Sequence, residues 1–410
     1  MTSWRGARAT SSCRPAGSPS RLAARTSRSR RFAGRSAPWL NAIRCCSGPA
    51  GSRFGSTIGS VLNSKRSCGT CGSEPPPRIR NLVIEIAQIR AAAERIRGRI
   101  HRTPILSASS IGERAGVSLR LKCENFQKTG SFKPRGALNK ILTLSREERA
   151  KGLVTVSAGN HAQAVAWAAR QDKAPAVVVM PTGASQSKLD AVRGYGAEVI
   201  LHGDRATLFD RVHEVERERG AIFVHPFDDP VVVAGAGTAG LEIAEDAPDI
   251  GAVIVPVGGG GLMSGIACAV AAMIPRAKVY AVELQAGPGL GPALAAGKPV
   301  PVPRPMDTLA DGMCPPFVGE IAVEVARRFV HEIIVVSEEE IIEAMRLLFT
   351  RAKLYVEGSG AAAVAALLSG RIRLPRGVPV VALVSGGNVD PARAIAVLSE
   401  ETPPEGRRPR

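Results

Sequence analysis

Apolar residues in this chain fall into two alternating rhythms from about residue 78 onward. Short runs rich in Val, Ile and Ala, bounded by Gly, Pro and polar residues, occur at residues 154–156, 176–180, 198–201, 222–224, 253–257, 279–283 and 380–384. Runs of this length and β-branched content suit strands buried on both faces, as in parallel sheets. Between them lie helical periodicities, such as residues 162–171 and 338–353, the latter opened by Ser337 and Glu340 at capping-box spacing. The alternation predicts an α/β fold of open, twisted, mostly parallel sheets with helices on both faces.

Three of the strand runs end in small glycine-bearing loops: Ser157-Ala158-Gly159-Asn160-His161, Gly258-Gly259-Gly260-Gly261 and Ser385-Gly386-Gly387-Asn388. In open α/β sheets ligands bind beyond the carboxyl ends of the strands, where loop amides and helix N-termini converge. The Gly258 to Gly261 run follows an apolar strand and precedes a helix expected to begin near Met263, an arrangement suited to cradling a phosphate. It lacks the Lys-Ser or Lys-Thr ending of a nucleotide P-loop, which disfavours ATP. Gly235-x-Gly237-x-x-Gly240 formally matches a dinucleotide fingerprint after Val231 to Val233, but no acid stands at the end of the next strand to hold a ribose. These glycines are read as helix packing.

Lys133 lies in Thr129-Gly130-Ser131-Phe132-Lys133-Pro134-Arg135-Gly136, on a short loop before a proline suited to a first helical turn. An amine there is placed to attack an aldehyde cofactor. With its flanks from Lys122 to Ala137, this segment resembles the cofactor-lysine motif of the threonine dehydratases and serine racemases, fold type II pyridoxal-phosphate enzymes related to the tryptophan synthase β chain. The other loops match that family in the same order, over roughly residues 79–398.

The resemblance implies pyridoxal 5'-phosphate as cofactor, joined to Lys133, flanked by Phe132, with its phosphate on Gly258, Gly259, Gly260 and Gly261. It further implies that Asn160 meets the ring hydroxyl and Ser385 the pyridine nitrogen, while Ser157, Ala158, Gly159 and His161 receive the substrate. A neutral hydroxyl at the ring nitrogen leaves a weaker electron sink, which suits β-elimination. His161 as general base is the less favoured alternative, because an adjacent lysine can take the α-proton itself. Racemases of this family carry a serine where Ala158 stands, and a methyl group cannot donate a proton from the second face. The expected reaction is dehydration of L-threonine or L-serine to 2-oxobutyrate or pyruvate with ammonia; a serine racemase or threo-3-hydroxyaspartate dehydratase is the alternative. A binding protein that has kept the fold without catalysis is the rival of another class.

Glu283 sits where the racemases hold a divalent cation, but their second carboxylate would fall at Gly289, so no metal is expected. Asp311 and Glu357 match the dehydratases in residue type, with structural and functional roles equally open. Ala236 replaces a glutamine common in the related dehydratases.

The expected organisation is a large cofactor-binding domain of residues 78–151 and 229–402, a small inserted α/β domain of residues 152–228, and tails at 1–77 and 403–410. The chain ends about 25 residues after Ser385, too few for a C-terminal regulatory domain, so isoleucine feedback through one is not expected.

The 410 residues carry a formal net charge of +18, which invites a nucleic-acid reading. Position removes most of it: residues 1–73 hold thirteen Lys and Arg and no acid, whereas the remainder holds 41 basic and 36 acidic residues. With 4% aromatics and no basic run interleaved with rings, no nucleic-acid partner is expected. No apolar run is long enough for a membrane span. The Arg- and Ser-rich segment 1–77 is expected to be disordered, either a start assigned too far upstream or a transit peptide, so the expected location is cytoplasmic or, with a real transit peptide, organellar. Five of the eight cysteines fall there, and Cys68-x-x-Cys71 lacks a second ligand pair. Cys123, Cys268 and Cys314 read as reduced thiols, mostly in the core. The expected partners are a small amino-acid substrate and copies of the same chain, as a dimer or tetramer.

Overall fold

The computed structural model describes residues 83–204, 206–303 and 308–399. The basic segment 1–77, with its Cys68 and Cys71, and the tail 403–410 lie outside them. All the described residues fall in one compact unit built on two sheets.

The six-stranded sheet has the order β1-β2-β10-β7-β8-β9, from β1 Ile105–Ser107, β2 Ser118–Cys123, β7 Ala252–Pro256, β8 Lys278–Leu284, β9 Val330–Val336 and β10 Pro379–Val384. Only the short β1 edge pairs antiparallel; the other pairings are parallel. The four-stranded sheet is wholly parallel, with order β5-β4-β3-β6 from β3 Leu153–Val156, β4 Ala176–Pro181, β5 Glu198–His202 and β6 Ile222–Phe223.

Because side chains alternate across a strand, each sheet feeds two cores. On the larger sheet Val253, Val255, Val381 and Leu383 face α1 Ile86–Ile96, α8 Pro230–Asp246, α9 Gly261–Met273, α10 Leu290–Ala296 and α11 Glu320–Phe329. Ala252, Ile254, Val380 and Ala382 face α2 Ser109–Ala115, α12 Glu338–Thr350, α13 Gly358–Leu368 and α14 Pro391–Ser399 on the other side. The smaller sheet packs Leu153, Val178 and Met180 on α3 Lys133–Thr143, α5 Asn160–Gln171 and α6 Gln186–Gly194, and Val154, Val177 and Val179 on α7 Leu208–Arg219. The short α4 Arg146–Ala150, capped by Ser145 and Glu148, leads into β3.

Each of the seven expected strands is present to within one residue at either end. The strands β1, β2 and β9 were not anticipated. Ser337 and Glu340 form the expected capping box, though α12 stops at Thr350, short of residue 353. Two local expectations need correction. The quartet helix begins at Gly261 rather than near Met263. Val231 to Val233 lie inside α8, whose start is fixed by the Asp229 carboxylate accepting from the Val231 and Val232 amides.

That placement explains the glycines of the apparent dinucleotide motif. A Cβ on Gly235 would stand 2.4 Å from the Arg135 carbonyl oxygen, one on Gly237 2.9 Å from the Gly265 oxygen, and one on Gly240 2.9 Å from the Ala269 Cβ. They let α8 lie against α3 and α9 at backbone distance. Cys123 and Cys268 are buried free thiols, and Cys314 is half-buried.

Candidate active site

The loops after β3, β7 and β10 converge with the start of α3 on one cavity of about 410 Å³. Phe132, Lys133, Ser157, Ala158, Gly159, Asn160, His161, the four glycines 258–261 and Ser385 all line it.

Lys133 occupies the first turn of α3, with Pro134 beside it supplying a preset φ. The loop that delivers it is fastened to the loop after β10. The Phe132 amide donates to the Ser385 carbonyl at 3.1 Å, Gly387 donates to the Gly130 carbonyl at 2.9 Å, and Ser131 bridges Gly386. The Lys133 amine donates to the Pro226 carbonyl at 2.8 Å and lies 5.1 Å from the Phe132 ring centre. Burial pulls its pKa down to about 8, against an opposing pull from the Glu357 carboxylate. Near neutrality a usable fraction is therefore the free amine, the form required for attack on an aldehyde or for proton abstraction.

A second support for α3 is buried behind it. The Arg135 guanidinium, with no exposed surface, donates to both oxygens of Glu124 at 2.7 and 2.8 Å and to both oxygens of Glu242 at 2.7 and 2.8 Å. Lys122 completes the group, reaching Glu242 at 2.5 Å and the Thr103 carbonyl at 2.8 Å. Two cations meet two anions, so the formal charges cancel, and each carboxylate accepts three hydrogen bonds.

The glycine quartet has no room for side chains. A Cβ on Gly259 would fall 2.1 Å from the Phe227 ring, one on Gly260 2.2 Å from the Ala322 Cβ, and one on Gly258 2.9 Å from the Gly312 carbonyl oxygen. Gly260 also has φ +91°, open to glycine and strained for other residues. Bare amides at the start of the 13-residue α9 form a concavity suited to a phosphate.

Asn160 opens α5 and is held at both ends of its amide. It donates to the Glu357 carboxylate at 2.7 Å and accepts from Asn388 at 2.8 Å, while Asn388 also donates to the Thr129 carbonyl at 2.7 Å. Burial, with the nearby Asp311 charge second, pushes the Glu357 carboxyl up to about 7. Glu357 thus belongs to the site, as does Asp311, which lines the cavity and pairs with Lys188 at 2.5 Å. The sequence left both roles open, placed Asn388 in a ligand loop without giving it a role, and gave no signal for Lys188, whose partner is distant in the chain.

Ser385 follows β10 and donates to the Ser359 carbonyl at 3.2 Å. Two buried polar atoms of cavity-lining residues have no partner, the Ser359 hydroxyl and His161 Nδ1. The other His161 nitrogen meets the Val224 carbonyl at 3.1 Å and must carry the proton there, which leaves Nδ1 as a bare acceptor. Burial holds the pKa of His161 well below the usual imidazole range, so the ring is neutral.

Glu283 is not among the residues lining the cavity. Its carboxylate accepts from the Gly289 amide at 2.7 Å, from Leu290, and from Gly291 at 3.0 Å, capping α10. Among the described residues no three His, Cys, Asp or Glu side chains gather as metal ligands, and no helix there is long and apolar enough to cross a membrane.

An amine with lowered pKa, a cradle with space only for backbone and a late serine together fit a phosphorylated aldehyde cofactor. Comparison with known proteins agrees. Residues 96–386 match the model of a family described as "Pyridoxal-phosphate dependent enzyme". The chain is 42% identical over 330 residues to an L-threonine ammonia-lyase of Thermotoga maritima, covering 80% of this chain and 81% of that one. Among solved structures, a threonine deaminase from T.th. superposes with TM-score 0.69 at 43% identity, covering 75% of this chain and 99% of that chain. Maize serine racemase superposes with TM-score 0.73 at 38% identity, covering 77% and 96%. Sequence, fold and cavity lead to one assignment: the chain belongs to the pyridoxal-phosphate dependent enzymes, and its cofactor is pyridoxal 5'-phosphate.

Proposed function

We propose that this enzyme is a threonine or serine dehydratase, removing water from L-threonine or L-serine to release 2-oxobutyrate or pyruvate and ammonia. The observation that carries the reading is the convergence of Lys133, Asn160, the glycine quartet and Ser385 on one cavity whose substrate loop presents a methyl group at Ala158. The similarity to a threonine ammonia-lyase and a threonine deaminase supports it.

When bound, the cofactor supplies an electron sink for charge developing at the substrate α-carbon. The residues do the rest. Lys133 would hold the aldehyde and, as a free amine, is placed to take the substrate α-proton, a task matched by its lowered pKa. The amides of Gly258 to Gly261 would hold the phosphate, Phe132 would pack on the ring, Asn160 would bind the ring hydroxyl, and Ser385 would offer the ring nitrogen a neutral hydroxyl. Ser157, Ala158, Gly159 and His161 form the substrate loop at the N-terminus of α5, with His161 a neutral wall and no base. The four-stranded layer serves as the small domain of residues 152–228 that closes over the substrate. The enzyme works as a homo-oligomer in the cytoplasm.

A racemase reading has support in the likeness to maize serine racemase. Against it stand the methyl of Ala158 and the Glu283 carboxylate, which is committed to three backbone amides.

Purified protein supplied with cofactor and given L-threonine, L-serine and 3-hydroxyaspartate separates these readings. Keto acid from threonine or serine without D-amino acid is expected; D-serine as main product, or turnover of hydroxyaspartate alone, would overturn the dehydratase assignment. Lys133→Ala should abolish borohydride trapping of the cofactor on the chain and lower keto-acid release by at least about a thousandfold.

A further inference from the structure

An amino-acid substrate brings a carboxylate into a cavity whose described lining includes three cations: Lys133, Lys188 and Arg393. Lys133 is committed to the cofactor. Arg393 donates to the Thr308 carbonyl at 3.1 Å. Lys188, in the first turn of α6, reaches instead over the substrate loop: a methyl placed on Gly159 would stand 3.6 Å from its Nζ and 3.7 and 3.8 Å from its Cε and Cδ. Its side chain keeps only 18% of its surface exposed, and its ammonium rests on Asp311 Oδ2 at 2.5 Å.

We infer that Lys188 is the cationic partner of the substrate α-carboxylate, and that Asp311 holds its ammonium at the loop until substrate arrives. The loop amides and the start of α5 offer dipoles, whereas a full positive charge within hydrogen-bond reach strengthens a carboxylate contact about twofold over neutral donors. The cavity's acids Asp311 and Asp390 would repel the substrate carboxylate if no cation faced them. Lys188 touches both Asp311 and the position of Gly159. A carboxylate docking on the loop therefore competes with Asp311 for one ammonium, so the two residues carry opposite effects on affinity. Lys188 acts on binding and orientation and takes no part in proton transfer.

This inference rests on the amino-acid reading above, and the test separates the two. Cofactor-loaded protein is titrated with glycine and with glycinamide, which share the amine and differ in the carboxylate, and the change in cofactor absorbance is followed. The native protein should prefer glycine. Lys188→Met should weaken glycine binding by about tenfold or more, leave glycinamide binding within about twofold, and keep the absorbance of the loaded protein; Lys188→Arg should restore most of the preference. Asp311→Asn should tighten glycine severalfold. Equal loss for both ligands in Lys188→Met, or an undiminished preference for glycine, would overturn the proposal. Should Lys188→Met fail to load cofactor, Asp311→Asn decides: weaker glycine binding refutes the competition. These titrations need no turnover, so failure of keto-acid release counts against the dehydratase reading alone.

Discussion

Gly260 combines a backbone φ of +91° with a neighbouring Ala322 Cβ that leaves no space for a methyl. Gly260→Ala should therefore lower cofactor affinity by at least tenfold, read by titrating apoprotein with pyridoxal 5'-phosphate; strain and overpacking each contribute about 1–3 kcal/mol. Glu357 gives a pH signature. Its folded pKa of about 7 lies above the carboxylate value of 4.5, so the folded state holds a proton that the unfolded chain has released. The resulting stability is full below about pH 4.5 and is lost as pH rises through 7, a change of up to about 3 kcal/mol. Denaturation of apoprotein across this range should show that decline, and Glu357→Gln should flatten it. Individual chemical groups were legible in sequence where the motif is local: Lys133 beside Pro134, or four glycines after an apolar run. Glu357 was ambiguous because its partner Asn160 lies 197 positions away, and nothing local distinguishes a carboxylate that reaches it from one that does not.

Helix α3 delivers the reactive amine, and the charged quartet of Lys122, Glu124, Arg135 and Glu242 binds it to β2, to the turn after β2 and to α8. Such a cluster costs desolvation and returns it only while complete. Arg135→Met strands Glu124 without its guanidinium and leaves Glu242 with Lys122 alone, for an expected loss of about 3–5 kcal/mol in denaturant unfolding. The same quartet shows why the sequence hid β2. Residues 118–123 alternate polar and apolar rather than forming the continuous apolar run of the other strands, and Lys122 is wholly buried, contrary to the usual fate of lysine. The three residues of β1 are too few to carry a period, and β9, on an edge of the sheet, has exposed His331 and Glu332 directly after its first residue, Val330. Strands buried between neighbours, such as β4 and β7, have no such interruptions and were readable.

At the scale of the whole molecule, and among the described residues, Asn160 ties the four-stranded layer to Glu357 and Asn388 of the six-stranded layer, and two further side-chain ties lie beside the cavity: Lys188 to Asp311, and the Ser187 hydroxyl to Asp390 at 2.5 Å. Both start from the first turn of α6. Asp390→Ala should accelerate amide hydrogen exchange in α6 while β10 stays protected, because exposed ties govern local opening and the sheet core governs global unfolding; uniform acceleration would show that Asp390 supports the whole fold instead. The layered architecture was legible because buried strands and amphipathic helices alternate regularly, whereas ties between layers depend on tertiary approach and leave no periodic trace. The methyl of Ala158 has a consequence for isotope and handedness. If Lys133 alone exchanges the α-hydrogen, serine recovered unreacted from heavy water carries deuterium and remains the L enantiomer, since nothing at Ala158 can deliver a deuteron from the other side.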